Sequence, residues 1–271
     1  MFYSVSHHTR FDFEEAQRAA IQRLHLVPVS MGNQRVLEWN INIDGGSVEL
    51  ETLDFHGNSV HLCRQDPAAA SLTVSANGKV EVIDNDGIVG PHESAVPLAL
   101  FRKPTSLSMP GPRLRKLARE IELWEKSSKA TEPALMHYLS AQIYGSINYR
   151  KGMTDVTTTA EQALEIGAGV CQDHVHAFIS VARMFGFPAR YTSGYLMMEN
   201  DTMQSASHAW AEVYLDGLGW VGFDVSNSIS PDHRYIKLAS GFDYADVVPI
   251  SGVRIGSGGE RISTSILVEQ Q

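Results

Sequence analysis

The chain has 271 residues, 43% hydrophobic and 20% charged, which supplies a substantial core for one large or two ordinary domains and excludes a disordered chain. Its 22 basic and 31 acidic residues leave a net charge of -9, which argues against nonspecific binding to nucleic acid or an anionic membrane, since both need a basic field. Two cysteines, Cys63 and Cys171, make no disulfide framework, and no stretch approaches the roughly 20 apolar residues of a membrane-spanning helix. With no signal-like apolar run at the start, the expectation is a cytoplasmic protein with reduced thiols.

The first part of the chain reads as β. Val36 to Ile43 alternates apolar and polar residues and ends at the turn Asp44-Gly45-Gly46. Ser71 to Val74 and Val80 to Ile83 flank Ser75 to Lys79, whose Asn77-Gly78 predicts a hairpin loop. Asp54 to Asn58 predicts another turn. A helical patch is expected near Phe13 to Leu24. Several short strands at this spacing predict a sandwich-like N-terminal β domain over 1–105.

Three prolines between Pro104 and Pro112 mark a linker, after which the pattern turns helical. Leu114, Leu117, Ala118, Ile121 and Trp124 form one stripe. A second helix is predicted from Pro133 to about Ile147, and a third from Thr159, where Gln162 completes a capping box, to Gly167. The fourth begins at Cys171, carries a stripe of Val175, Phe178, Ile179 and Ala182, and ends at Gly186. Strands follow over Ala189 to Met197, Ser207 to Leu215 and Trp220 to Asp224, and Ile262 to Val268 is a candidate final strand.

Cys171, at the head of its helix, is a candidate nucleophile. Unpaired N–H groups and the positive end of the helix dipole favour a thiolate there, and the same N–H groups suit a nascent oxyanion. The alternative is a buried structural cysteine, which is the expectation for Cys63 in the strand-like run Val60 to Cys63. His208, Trp210, Glu212 and Tyr214 share one strand face, which makes His208 a candidate base and Asp224, on the next strand, its orienter. The parity is restrictive. A two- or four-residue loop at Asp216 to Gly219 would point Asp224 away from His208, so the pairing requires an odd loop or a β-bulge.

These blocks resemble the transglutaminase-like superfamily of papain-like thiol enzymes, and are most similar to its bacterial branch. The matching residues are Gly169-Val170-Cys171-Gln172-Asp173, Pro188-Ala189-Arg190-Tyr191, Ser193-Gly194-Tyr195, Ser207-His208-Ala209-Trp210-Ala211-Glu212-Val213 and Gly219-Trp220-Val221-Gly222-Phe223-Asp224. Tyr149 to Thr154, Thr159-Ala160 and, more weakly, Asp54 to Asn58 also fit. The resemblance implies an α+β core over 106–271, a cysteine-bearing helix on an antiparallel sheet behind the N-terminal β domain. It also implies Cys171 as nucleophile, His208 as base and Asp224 as orienter. Gln172 and Trp210 are candidates for substrate or oxyanion contact. Nothing resembles the calcium-binding insertions of animal transglutaminases, so neither a metal nor another cofactor is expected.

Asp173-His174-Val175-His176 invites a metal reading, but His174 and His176 diverge by about 200° on a helix. Arg190 could bind a substrate carboxylate or pair with Asp173 or another core acid, and the structural pairing is favoured. The reading is thiol acyl transfer on peptide-type or glutamine side-chain amides of a peptide or protein substrate, hydrolytic rather than cross-linking. The alternative is a non-catalytic binding module that retains the fold.

Overall fold

Alternation of buried and exposed residues lays the N-terminal chain out as strands. In β1 (Phe2–Phe13), Tyr3, Val5, His7, Thr9 and Phe11 are buried while His8 and Arg10 face solvent. There follow β2 (Ala19–Leu24), β3 (Gln34–Asp44), β4 (Gly46–Leu53), β5 (Ser59–Gln65), β6 (Ser71–Val82) and β7 (Ile88–Gly90). The helical part holds α1 (Pro112–Ser128), α2 (Glu132–Ser146), β8 (Asn148–Tyr149), α3 (Ala160–Ile166), β9 (Ala168–Gly169) and α4 (Cys171–Met184). Then come β10 (Ala189–Leu196), β11 (Met203–Gln204), β12 (His208–Leu215), β13 (Gly219–Phe223), β14 (Tyr235–Gly241), β15 (Ile250–Ile255) and β16 (Glu260–Gln270). This computed structural model describes every residue except 16, 18, 68 and 199–202.

Two expectations fail in the β region. The described residues of 13–24 are not helical, residues 16 and 18 lying outside them: β2 alternates exposed and buried residues and pairs with β5 and β15, so sheet pairing overrides local helical preference. Ser75 to Lys79 is no hairpin loop either, because β6 runs through it, paired with β1 on one side and β3 on the other. Gly78 is there for close approach rather than for a turn. A Cβ on it would sit 2.3 Å from the Glu38 carbonyl oxygen and 2.4 Å from the Trp39 ring. Gly78→Ala is therefore expected to destabilise the protein by about 1–3 kcal/mol, the usual cost of overpacking, in a urea titration. An unchanged midpoint would show that the ring moves freely.

The sheet orders are β11-β16-β1-β6-β3, β15-β2-β5-β4 and, in the helical part, β14-β10-β12-β13-β7. Strand pairing does not follow the linear division expected near residue 105. The last two strands return to the first two sheets through β1 and β2, whereas β7 extends the sheet of the helical part. One apolar cluster joins Tyr3, Leu24, Leu72 and Val80 to Tyr195, Ile236 and Leu238 of β10 and β14. The proline-rich connection is likewise anchored: Ser108 is wholly buried and accepts a 2.8 Å bond from Arg183 of α4.

The helices follow their sequence signals. Leu114, Leu117, Ala118 and Ile121 are buried on α1, and α3 starts at the Thr159/Gln162 capping box and ends at Gly167 in the left-handed conformation. Residues 172–183 of α4 are buried, so this helix lies between the sheet and the other helices rather than on a surface. None of the helices is long and apolar enough to cross a membrane among the described residues.

Candidate active site

The chain enters α4 along a fixed path. Gly167 closes α3 at φ 69°, and β9 then pairs in parallel with β8, Asn148 opposite Ala168 and Tyr149 opposite Gly169. The Asp173 carboxylate accepts 2.7 Å bonds from the Val170 N–H and the Thr154 hydroxyl, which caps the helix from its third position. A Cβ on Gly169 would lie 2.5 Å from that carboxylate, so only glycine leaves room for the cap. Burial raises the pKa of Asp173 despite these donors. Cys171 is the first helical residue, half-buried, and neither its N–H nor that of Gln172 meets an acceptor among the described residues. Cys63, by contrast, is fully buried in β5 and its thiol is pushed up to about 11 by burial.

The parity condition on His208 and Asp224 is met by the loop. Leu215 pairs with Gly219, which leaves the three residues Asp216, Gly217 and Leu218 between β12 and β13. Gly217 and Gly219 both take φ 79°, which an L side chain would resist. Continuing the register places Asp224 opposite Trp210 and on the face of His208. His208 Nε2 donates to Asp224 Oδ2 at 2.6 Å, which leaves Nδ1 for Cys171. Asp224 then leaves the ladder through an isolated bridge to Ile229.

The Asp224 carboxylate is completely buried and is held by further donors. Tyr235 Oη and Asn227 Nδ2 lie 2.7 Å from Oδ2, Ser226 Oγ lies 2.8 Å from Oδ1, and the Asn227 N–H lies 3.2 Å from Oδ1. Burial alone would raise its pKa, but His208, Tyr235 and Asn227 bring it down to about 2. Burial alone would lower His208, but its bonds to Asp224 and Cys171, and their negative charge, raise it to about 10. The imidazolium is therefore the favoured form across neutral pH.

Gln172 and Trp210 are the substrate or oxyanion candidates from the sequence. Gln172 follows Cys171 and its Nε2 donates to the Val156 carbonyl at 3.4 Å. Trp210 packs edge-on to Tyr235, 5.4 Å between centroids, and its ring centroid lies 6.5 Å from that of His208. Burial, then the charge of Cys171, raises the pKa of Tyr149, Tyr191 and Tyr244, with Tyr149 reaching about 12. Tyr149 is half exposed and lies in a stretch already matched to the family. Ser226 and Asn227 carry a readable turn signal after Asp224, but Tyr235 and Tyr244 come from later elements and carry none.

The histidines of α4 are packing residues. His174 sets Nδ1 2.8 Å from the Val170 carbonyl and Nε2 2.9 Å from that of Ile147. His176 accepts from the Tyr244 N–H at 3.3 Å, and burial lowers its pKa to about 3. No metal-binding group of three or more His, Cys, Asp or Glu exists among the described residues. Arg190 pairs not with Asp173 but with Glu212, at 2.6 and 2.7 Å, and stacks 4.0 Å above the Trp220 ring. Lys237 Nζ donates to both oxygens of the same carboxylate at 2.8 Å.

The chain was compared with known proteins. The profile of the transglutaminase-like superfamily matches residues 115–225, and that of the bacterial transglutaminase-like N-terminal region matches residues 3–81. An uncharacterized protein of Mycobacterium tuberculosis is 28% identical over 272 residues, covering 93% of this chain and 87% of its own length. A protein-glutamine gamma-glutamyltransferase of Pseudomonas aeruginosa is 24% identical over 154 residues, covering 53% of this chain and 23% of its own length. The solved structure of a candidate cysteine protease from Cytophaga hutchinsonii has a TM-score of 0.75 and 21% identity, covering 99% of this chain and 89% of that one, so the two share a fold. The chain thus carries a transglutaminase-like core over residues 115–225 behind a bacterial transglutaminase-like N-terminal region over residues 3–81, as the two family models match them.

Proposed function

We propose that the protein hydrolyses peptide-type or glutamine side-chain amides through Cys171, His208 and Asp224. The observation that carries this reading is the 2.6 Å His208–Asp224 bond, which aims the other ring nitrogen at a cysteine on a helix N-terminus. With the proton held on His208, the Cys171 sulfur attacks the amide carbonyl as a thiolate. The N–H groups of Cys171 and Gln172 receive the oxyanion. His208 returns the proton to the leaving amine or ammonia, and a thioester remains. Water then attacks the thioester, losing its proton to His208, and the acid leaves as the sulfur departs as a thiolate beside the imidazolium.

Water rather than an amine is the favoured acceptor because Cys171 is not fully buried, and a thioester within reach of water needs special shielding to prefer an amine. The match to a glutamyltransferase supports a second reading, in which a lysine amine takes the acyl group. Glutamine-containing peptides incubated with a dansylated amine separate the two: free acid and cleaved peptide mean hydrolysis, and dansyl-labelled peptide means cross-linking.

The site itself is tested by iodoacetamide alkylation followed by mass spectrometry on the folded protein. Cys171 is expected to react at pH 6 to 7 at least about tenfold faster than an ordinary thiol, with Cys63 unreactive, and His208→Ala is expected to remove the advantage. A Cys171 rate that is ordinary, or indifferent to His208, would overturn the proposal.

A further inference from the structure

A cavity of about 310 Å³ lies where the chain between β2 and β3 and the β4–β5 turn meet β10 and β14, and it includes no part of the cysteine site. Its inner wall carries Arg190 and Lys237, both less than a tenth exposed. These two cations share a single carboxylate, Glu212, which is completely buried. The cluster therefore holds one positive charge more than it neutralises.

The other acids nearby do not balance it. Glu93 lines the cavity but is exposed, and Asp232, next to a small void on the far side of Lys237, is engaged by Arg234 at 2.6 Å. Burial and the neighbouring Arg190 press the pKa of Lys237 down to about 8, against the pull of Glu212, as expected for an undercompensated charge. Arg190 uses Nε and Nη2 on Glu212, while Nη1 has no hydrogen-bond partner among the described residues. Ser30 and Ser240 also line the cavity, and Asn58 ties Ser240 across the junction through bonds of 2.9 Å to its backbone.

We propose that this cavity is a binding site for a small oxyanion, a carboxylate or phosphate group received by Arg190 and Lys237 with the Ser240 hydroxyl. A guanidinium edge and an ammonium on one wall are the donors such groups take, and the volume accommodates a ligand larger than a bare ion. Because the walls come from both the strand-rich region and the core sheet, a bound anion joins the two and favours their packed arrangement. Glu212 stands four residues along β12 from His208, about 13 Å at ~3.3 Å per residue, so the ligand is not an amide in attack position.

The test is calorimetric titration and thermal unfolding of the full chain with inorganic phosphate and with succinate, against sodium chloride at matched ionic strength. The expected result is saturable binding of one or both and a rise in Tm that chloride does not reproduce. Which of the two binds identifies the source chemistry. Lys237→Met is expected to weaken binding by at least about tenfold, the loss of one charge-assisted donor. Should that variant fail to fold, Arg190→Lys, which keeps the charge but removes the free Nη1, and Ser240→Ala carry the same expectation. Cys171→Ala is expected to bind as the native protein does. No saturable binding beyond chloride, or undiminished binding in the folded variants, would overturn the proposal.

Discussion

Cys171→Ala is expected to lower amide turnover by about 10⁴-fold or more while leaving the circular dichroism spectrum and Tm of the native protein. The loss is large because the thioester has no other candidate nucleophile: Cys63 is fully buried in β5. Cys171 itself packs only partly against the helical core, so alanine leaves little void. Asp224→Asn is expected to cost a comparable factor for a different reason. The amide can present its NH₂ to His208 and stabilise the wrong tautomer, and it removes the charge that lifts the imidazole to about 10. The two variants are separable. Alkylation of Cys171 is lost trivially in the first and slowed in the second, and kcat falls in both. Turnover that survives Cys171→Ala would exclude thiol catalysis, and absence of turnover in the native protein on every amide offered would favour a binding module.

Glu212→Gln is expected to destabilise the fold by about 3–5 kcal/mol, read as a lower urea midpoint with little change in slope. The carboxylate is completely buried between Arg190 and Lys237. Removing its charge leaves two buried cations facing each other at the junction with the strand-rich region. Replacing all three residues, Glu212→Leu with Lys237→Met and Arg190→Met, is expected to recover part of the loss, because an apolar cluster has no desolvation cost. The same carboxylate contributes to acid stability. Burial alone would raise its pKa, but Arg190 and Lys237 hold it at about 2, below its ordinary 4.5. Its contribution is therefore complete above about 4.5 and is lost as the pH falls toward 2. The native protein is expected to lose stability through that window, and Glu212→Gln to show a shallower slope. Equal slopes would mean that Glu212 is not held as a buried anion.

Residues close in sequence determined much of the helical half. The Thr159/Gln162 box, Gly167, the cysteine after Gly169 and the stripe on α1 are short-range signals, and each acts within one or two turns of backbone. The parity argument on His208 and Asp224 was also readable, because side chains alternate along a strand and the structure supplies the odd loop it demanded. The β region was legible as strands but not in its pairing. Asn77-Gly78 carries a turn signal, yet the chain runs straight through it because Trp39 of β3 lies against the glycine.

Tertiary structure alone decided the rest. That β15 and β16 close sheets begun by the first strands depends on which edges and apolar faces remain to be covered, and no local pattern encodes that. Tyr235 reaches Asp224, and Lys237 reaches Glu212, from β14, because strands far apart in sequence are brought into one sheet by burial of their faces. Backbone propensities and caps are local free energies, so sequence reports them directly. Charge pairing and desolvation depend on distances between elements, and those exist only once the sheets have packed.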